Sequence, residues 1–144
     1  MRVDWRALII LAACAIIASP VALRGTTCVD RKPLKVSGPV CGRVFDPAGA
    51  VVPSADLQLL NETGAVAAQA RADSNGDFTF SAVPKGKYRL TTSSPGWYIT
   101  FGAIEITGAG ARKCKPLTVT LGIHSCDGEI SRKKPAARPS GGAQ

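Results

Sequence analysis

The stretch that decides the fold class runs from Asp73 to Gly96 and reads D-S-N-G-D-F-T-F-S-A-V-P-K-G-K-Y-R-L-T-T-S-S-P-G. It begins with a tight turn at Asn75-Gly76, because Asn-Gly supplies the positive φ angles that a hairpin turn needs. Residues expected on one strand face then recur at every second position, on both sides of a corner at residues 84–86: Phe78, Phe80, Tyr88, Leu90 and Thr92. This period is that of half-buried β-strands, so the stretch predicts two strands.

Five further segments are predicted as short strands bounded by turn residues: residues 40–46, 55–60, 65–72, 98–106 and 116–121. Residues 65–72, A-V-A-A-Q-A-R-A, also have a high helix propensity. We predict a strand there because the segment runs directly into the turn at residues 73–77. Within the 98–106 segment, Gly102 is expected to mark a bulge or a bend.

Short strands at close spacing, without a convincing helix, predict an all-β fold, a seven-stranded antiparallel Greek-key β-sandwich. Each core side chain contributes roughly 1.5–3 kcal/mol when it is fully buried. The core is expected to use alternate residues of the strands: Val44, Leu57, Leu59, Val66, Phe78, Phe80, Tyr88, Leu90, Ile104, Ile106, Leu117, Val119 and Leu121. A core of this kind leaves no cavity for chemistry.

The N-terminus predicts a secretory signal peptide over residues 1–22. Arg2 and Arg6 precede an apolar run at residues 7–18, and small residues follow it. Two alternatives stay open: the run could be retained as a membrane anchor, or the chain could be lipidated at Cys14, which follows Leu-Ala-Ala. Export predicts a secreted, periplasmic or cell-envelope protein that contacts the membrane only if this segment is not cleaved.

Three regions follow the leader. We predict a linker or N-terminal arm at residues 23–36, the sandwich at residues 37–126 and a disordered basic tail at residues 127–144. The formal net charge is +8, and the following cations could attract anionic surfaces without specificity: Arg112, Lys113, Lys115, Arg132, Lys133, Lys134 and Arg138. No nucleic-acid-binding motif accompanies them, so we expect no nucleic acid as a partner.

Four cysteines lie beyond the leader: Cys28, Cys41, Cys114 and Cys126. An even number in an exported chain favours two disulfides, and four cysteines allow three connectivities. We prefer Cys41 with Cys114 and Cys28 with Cys126, because each pair joins the first part of the domain to the last. Neither Cys-x-x-Cys nor His-x-x-His is present, so no zinc site is predicted.

Four motifs in this order resemble the carboxypeptidase regulatory-like domain family: G-R-V-F-D-P-A-G-A-V-V-P-S-A-D-L-Q-L from Gly42, D-S-N-G-D-F-T-F from Asp73, V-P-K-G-K-Y-R-L from Val83 and S-P-G-W from Ser94. The resemblance covers residues 36–123. It implies a sandwich similar to transthyretin (prealbumin) that is not itself catalytic. Such modules occur beside metallocarboxypeptidases, in outer-membrane receptors and in many exported bacterial proteins, and related starch-binding sandwiches bind carbohydrate.

The polar residues that invite a catalytic or metal interpretation are better explained as parts of turns. Asp73, Asn75 and Asp77 alternate as calcium ligands do, but the glycine position and the missing glutamate favour a structural turn. His124 is the one histidine of the sequence, so no base, nucleophile and orienting acid can be assembled around it. We therefore predict no catalytic residue, no cofactor and no metal.

Tyr88, Trp97 and Tyr98 are the candidate ligand-binding residues. Together they could form an aromatic platform for a sugar ring, although packing at the sandwich edge is the favoured interpretation for Trp97. We expect a non-enzymatic exported module with a structural or protein-binding role. Its partner would be an unknown protein or cell-envelope component, and a carbohydrate-binding module is the alternative.

Overall fold

The computed structural model describes residue 28 and residues 31–108 and 113–133. The predicted signal peptide at residues 1–22, the alternative lipid site at Cys14 and most of the basic tail lie outside the described residues. The described ranges contain nine strands: β1 (Leu34–Ser37), β2 (Val40–Phe45), β3 (Asp56–Leu60), β4 (Val66–Arg71), β5 (Asp77–Phe80), β6 (Gly86–Ser93), β7 (Thr100–Gly108), β8 (Leu117–Thr120) and β9 (Glu129–Ser131). In the same ranges, no helix has the length and apolar character needed to cross a membrane.

The strands form two sheets that enclose a shared core. One sheet has five strands in the order β1-β7-β6-β3-β4, and the other has four in the order β5-β2-β8-β9. β1 runs parallel to β7 and β2 runs parallel to β8, whereas the other pairs are antiparallel. The predicted all-β class is confirmed. The prediction of seven antiparallel strands in a Greek key is wrong, because the described chain has nine strands in two mixed sheets.

The two additional strands, β1 and β9, come from segments predicted as an arm and as a disordered tail. Their sequences, L-K-V-S and E-I-S, are too short to show a period of their own. Val36 of β1 lies opposite Ile106 of β7, and Ile130 of β9 lies opposite Val119 of β8. Long-range pairing therefore creates both strands, and the sandwich extends on each side beyond the predicted limits of residues 37–126.

Alternate residues of the two sheets meet in one apolar core. Gly102 does not interrupt β7, which pairs with β6 without a break. A side chain at Gly102 would come within 3.0 Å of the Ile130 Cδ1 atom, so close packing of the sheets explains this glycine. Tyr88, which the sequence predicts in the core, is only half-buried. Most of the predicted core side chains are buried: Val44, Leu57, Leu59, Phe78, Phe80, Leu90, Ile104, Ile106, Leu117, Val119 and Leu121.

Val66 departs from the predicted core, and 48% of it is exposed. The register between β3 and β4 shifts at this point, since Leu59 lies opposite Ala68 but Leu60 lies opposite Val66. The extra residue, Ala67, is a β-bulge, and a one-residue shift moves a side chain to the other face of a sheet. The prediction that Val66 faces the core is therefore wrong.

The turn at residues 73–77 connects β4 to β5, which belong to different sheets. The Asp73 amide donates to the Asp77 carbonyl (2.9 Å), and the Gly76 amide donates to the Asp73 carbonyl (3.0 Å). Within this turn only Gly76 has a positive φ, of 76°. The turn is therefore a corner between the sheets and not the hairpin that the sequence predicts. The strand predicted before it, instead of a helix, is confirmed as β4.

Two disulfides have the preferred pairing. Cys41 of β2 is bonded to Cys114, with the Cα atoms 6.1 Å apart, and Cys28 is bonded to Cys126, with the Cα atoms 5.4 Å apart. The first ties β2 to the segment before β8, and the second ties the N-terminal arm to the loop between β8 and β9. Paired cysteines of this kind indicate an oxidising, non-cytoplasmic environment.

Candidate functional site

Three exposed apolar residues lie on adjoining loops at one end of the sandwich: Tyr98, Ile99 and Ile123. We call this group the Tyr98 patch; its residues are 54%, 60% and 56% exposed, in that order. They come from two loops, residues 94–99 between β6 and β7 and residues 121–128 between β8 and β9. Single exposed apolar residues are ordinary, but a group of them on adjoining loops is typical of an interaction surface.

A short backbone bridge holds the two loops of the patch side by side. The Tyr98 amide donates to the Gly122 carbonyl over 3.1 Å, and the two residues form an antiparallel bridge. The chain reaches this bridge through a turn in which the Trp97 amide donates to the Ser94 carbonyl (3.1 Å) and Gly96 has a φ of 83°. The Pro-Gly pair of this turn thus sets the direction in which the chain runs from the end of β6 to Tyr98.

Trp97 lies beneath the patch and not on it. Its side chain is half-buried and packs against the apolar core. A large, rigid indole in this position supports the loop that carries Tyr98 and Ile99. The position agrees with the packing role expected for Trp97 from the sequence.

Tyr88 lies at the other end of the five-stranded sheet. It is opposite Ile104 near the start of β6, whereas the Tyr98 patch follows the end of that strand. Five residues of strand, about 17 Å, separate Tyr88 from the last residue of β6. The Tyr88 hydroxyl donates to the Pro84 carbonyl (3.0 Å). The structure therefore separates Tyr88 from Trp97 and Tyr98, and the three residues do not form one aromatic platform.

His124 and Asp127 form a polar rim beside the patch. His124 follows Ile123 directly, and its Nδ1 lies 2.9 Å from Oδ2 of Asp127. Both side chains are exposed, at 75% and 51%. A catalytic histidine needs a nucleophile within hydrogen-bond reach and an orienting group, whereas the one partner that the described residues show for His124 is this exposed carboxylate. The pair offers hydrogen bonds to a ligand of the patch.

In three turns, one side-chain oxygen accepts hydrogen bonds from two backbone amides. Oδ1 of Asp73 accepts the amides of Asn75 (2.8 Å) and Asp77 (2.9 Å). Asp46 and Asn61 each accept two backbone amides in the same way, from the residues two and four positions further on. Such contacts order a turn. The structural-turn interpretation of Asp73 is therefore the one that the geometry supports.

Asp77 points its carboxylate to the outer face of the four-stranded sheet, where it meets Arg43. The Arg43 Nε and Nη2 atoms donate to the two carboxylate oxygens over 2.5 Å and 2.8 Å. These hydrogen bonds lower the pKa of the Asp77 carboxyl, and they outweigh the opposing effect of desolvation. Among the described residues, no group of three or more His, Cys, Asp or Glu side chains could hold a metal ion.

The comparisons with known proteins concern the part of the chain that forms most of both sheets. The family model of the carboxypeptidase regulatory-like domain matches residues 39–121. This range is more than half of the chain and contains β2 to β8 complete. No curated protein matches the chain. From the extent of the family match, the protein belongs to the carboxypeptidase regulatory-like domain family.

Proposed function

We propose that this protein is an exported, non-enzymatic β-sandwich module that binds another protein at the cell envelope or outside the cell. Its family is one of non-catalytic domains. The two disulfides support action in an oxidising compartment. The finer placement, secreted or in the periplasm or envelope, rests on the signal peptide predicted from the sequence.

The Tyr98 patch is the observation that carries this proposal. Its apolar side chains lie on loops that are supported by Trp97 from below and by the backbone bridge to Gly122. Loops on a rigid sandwich are common binding elements, because the scaffold positions them without constraining their sequence. Protein interfaces commonly combine an apolar centre with a polar rim. Here His124 and Asp127 form the polar rim.

A carbohydrate-binding module is the alternative, and one observation favours it. The Tyr98 ring is more than half exposed and has the hydrogen-bonding groups of His124 and Asp127 nearby. Sugar rings are bound by an aromatic face combined with such polar groups. The aliphatic side chains of Ile99 and Ile123, which form the rest of the patch, favour a protein partner instead.

Site-specific photo-crosslinking tests the proposal. A photoreactive amino acid at position 99 should crosslink the partner in the cells that produce the protein, whereas the same amino acid at position 66 should not. Val66 is the matched control, because it is an exposed apolar residue away from the patch. The partner is then purified, and we expect at least a tenfold higher Kd for the Ile99→Ser/Ile123→Ser variant and no change for Val66→Ser.

Binding of the wild type and of Tyr98→Ser to a panel of polysaccharides distinguishes a carbohydrate-binding module from a protein-binding one. Saturable binding to one polysaccharide that is lost in Tyr98→Ser would support the carbohydrate-binding module and contradict a protein partner. Equal crosslinking from positions 99 and 66 would show that the patch has no special role, and the proposal would then fail.

A further inference from the structure

A concave surface lies on the outer face of the five-stranded sheet, away from the Tyr98 patch. It is a groove of about 640 Å³ between the N-terminal arm at residues 31–33 and the turn at residues 61–64. β6, β7 and the end of β3 contribute the residues between these two walls. Ligand sites commonly have volumes of about 300–1000 Å³, so the groove is large enough for a segment of peptide.

The side chains around this groove carry an excess of positive charge. Glu62 is the one carboxylate among its lining residues. Glu105 lies opposite Lys87 in the β6–β7 register and offsets part of its charge. We call the surface the basic groove, after four cations that line it: Arg31, Lys32, Lys87 and Arg89.

The two arginines of the basic groove are held in place by neighbours. The Arg89 guanidinium lies 5.6 Å from the centre of the Phe101 ring, a cation–π contact that fixes its position on the sheet. Arg31 lies 3.0 Å from a carboxylate oxygen of Glu129, which offsets part of its charge. The two lysines form no ion pair with any carboxylate of the described residues. An ordered guanidinium can bind a carboxylate with two parallel hydrogen bonds, and the lysines add charge to the same surface.

The floor of the basic groove is aliphatic. Leu60, Ala103 and Pro33 line it between the charged side chains. A ligand that combines apolar side chains with negative charges therefore matches the groove better than a purely ionic one.

The basic groove continues past the N-terminal arm. A second cavity of about 560 Å³ shares Arg31, Lys32 and Ala103 with the first, and it adds the cations Arg132 and Lys133 and the carboxylate Glu129. β1 begins opposite Ile104, so it does not cover the first residues of β7 beside this cavity. The two cavities form a path suited to an extended chain.

We propose that the basic groove binds an extended acidic segment of a partner protein, in which carboxylates alternate with aliphatic side chains. The carboxylates pair with the cations of the walls, and the aliphatic side chains contact the floor. A sugar polymer fits less well, because the Tyr88 ring is half-buried and its hydroxyl is engaged by Pro84. A lipid bilayer fits less well because a flat surface reaches the rim of a groove but not its floor. This second site goes beyond the function proposed for the Tyr98 patch.

Fluorescence anisotropy tests this proposal with a labelled octapeptide in which glutamate alternates with leucine or valine. The full exported chain should bind it saturably, and Lys87→Glu/Arg89→Glu should raise the Kd at least tenfold. The matched control is Lys113→Glu/Lys115→Glu, which makes the same charge change at exposed residues before β8; its Kd should change less than threefold. Leu60→Ser should weaken binding of this peptide but not of octaglutamate.

Each other outcome contradicts the proposal in a different way. Equal weakening by the two double variants would show unspecific attraction by net charge. Tighter binding of polygalacturonate, or of vesicles containing an anionic phospholipid, would identify another class of ligand. The Ile99→Ser/Ile123→Ser variant should bind the octapeptide as the wild type does, so a failure at the basic groove and a failure at the Tyr98 patch can be told apart. Thermal unfolding of every variant confirms that it is folded.

Discussion

The Tyr98 patch and the basic groove use the same scaffold in different ways. The patch is apolar and lies on two loops, whereas the groove is charged and lies on the outer face of a sheet beside the N-terminal arm. The inward side chains of the strands are committed to the core, and their size and shape are constrained by it. Outward side chains and loops carry no such constraint. One sandwich can therefore carry two surfaces of unrelated chemistry without any change in its core.

The two regions also differ in what supports them. The patch loop at residues 121–128 is held by the bridge between Tyr98 and Gly122 and by the disulfide from Cys126. The basic groove is built mainly on hydrogen-bonded strands, and only its wall at residues 31–33 depends on that same disulfide, through Cys28. The groove should therefore tolerate loss of the disulfide better than the patch.

Removal of a central core side chain should affect both regions equally and has the largest expected effect. Phe80 is 1% exposed, and its ring packs edge-on against Phe78 at 6.0 Å. Phe80→Ala should lower the free energy of unfolding by about 3–5 kcal/mol, measured by urea denaturation. Hydrogen exchange at β6 and at the loops of the patch should accelerate together; acceleration in one region alone would show that the two regions do not share one cooperative scaffold. Thr79→Ala, at an exposed position on the same strand, is the control.

Removal of the Cys28–Cys126 disulfide should loosen the patch loop and the N-terminal arm but not the strands of the basic groove. Cys28→Ser/Cys126→Ser should cost about 2–4 kcal/mol of unfolding free energy and should accelerate hydrogen exchange at residues 121–128 and 31–33. Cys41→Ser/Cys114→Ser should cost a similar amount without that local effect. Acceleration that extends to the β6 and β7 residues of the basic groove would contradict the difference in support described above.

Arg43 and Asp77 lie on the outer face of the four-stranded sheet, outside both regions, and their ion pair should make the stability of the protein depend on pH. Arg43 lowers the pKa of Asp77 in the folded state below its ordinary value of 3.8. The pair therefore stabilises the protein above that value, and this contribution is lost as the pH falls through the lowered pKa. Arg43→Met should reduce the unfolding free energy at pH 7, and its difference from the wild type should shrink towards pH 2. Arg71→Met is the control, because Arg71 lies 3.7 Å from Asp56 and should show a smaller change; an equal change in both would contradict the assignment.

Substitutions on the two binding surfaces should have the smallest effect on stability. Ile99→Ser/Ile123→Ser and Lys87→Glu/Arg89→Glu should each change the free energy of unfolding by no more than about 0.5 kcal/mol per substitution, because all four residues are exposed. Thermal unfolding measures this effect. A loss of several kcal/mol would show that the side chains support the fold, and that their sensitivity to substitution says nothing about binding.

Much of the core could be predicted from the sequence, because each central strand has one face inside and shows a two-residue period. Phe78 and Phe80 are examples. β1 and β9 could not be predicted, since each has too few residues to show a period and exists through pairing with a distant strand. The outward turn of Val66 depends on a bulge that no local pattern marks.

Only part of the candidate site could be predicted from the sequence. Tyr98 could be singled out as an aromatic residue after a Pro-Gly turn. Ile99 and Ile123 could not, because Ile99 falls inside the strand predicted at residues 98–106 and Ile123 lies just after the strand predicted at residues 116–121. Their proximity is visible in the structure, where the bridge between residues 98 and 122 joins their loops. The separation of Tyr88 from Tyr98 likewise follows from strand direction, which residue spacing does not report.

The range of the family match, residues 39–121, has a practical consequence for fragments of this protein. A fragment trimmed to that range would retain the buried residues of β2 to β8, yet it would lack Arg31, Lys32, Ile123 and the Cys28–Cys126 crosslink. Such a truncated domain would lose part of each proposed binding surface, together with the buried Val36 side chain that β1 adds to the core. The limits of the family match therefore do not coincide with the limits of the folded unit, which begins at β1 and ends at β9 among the described residues.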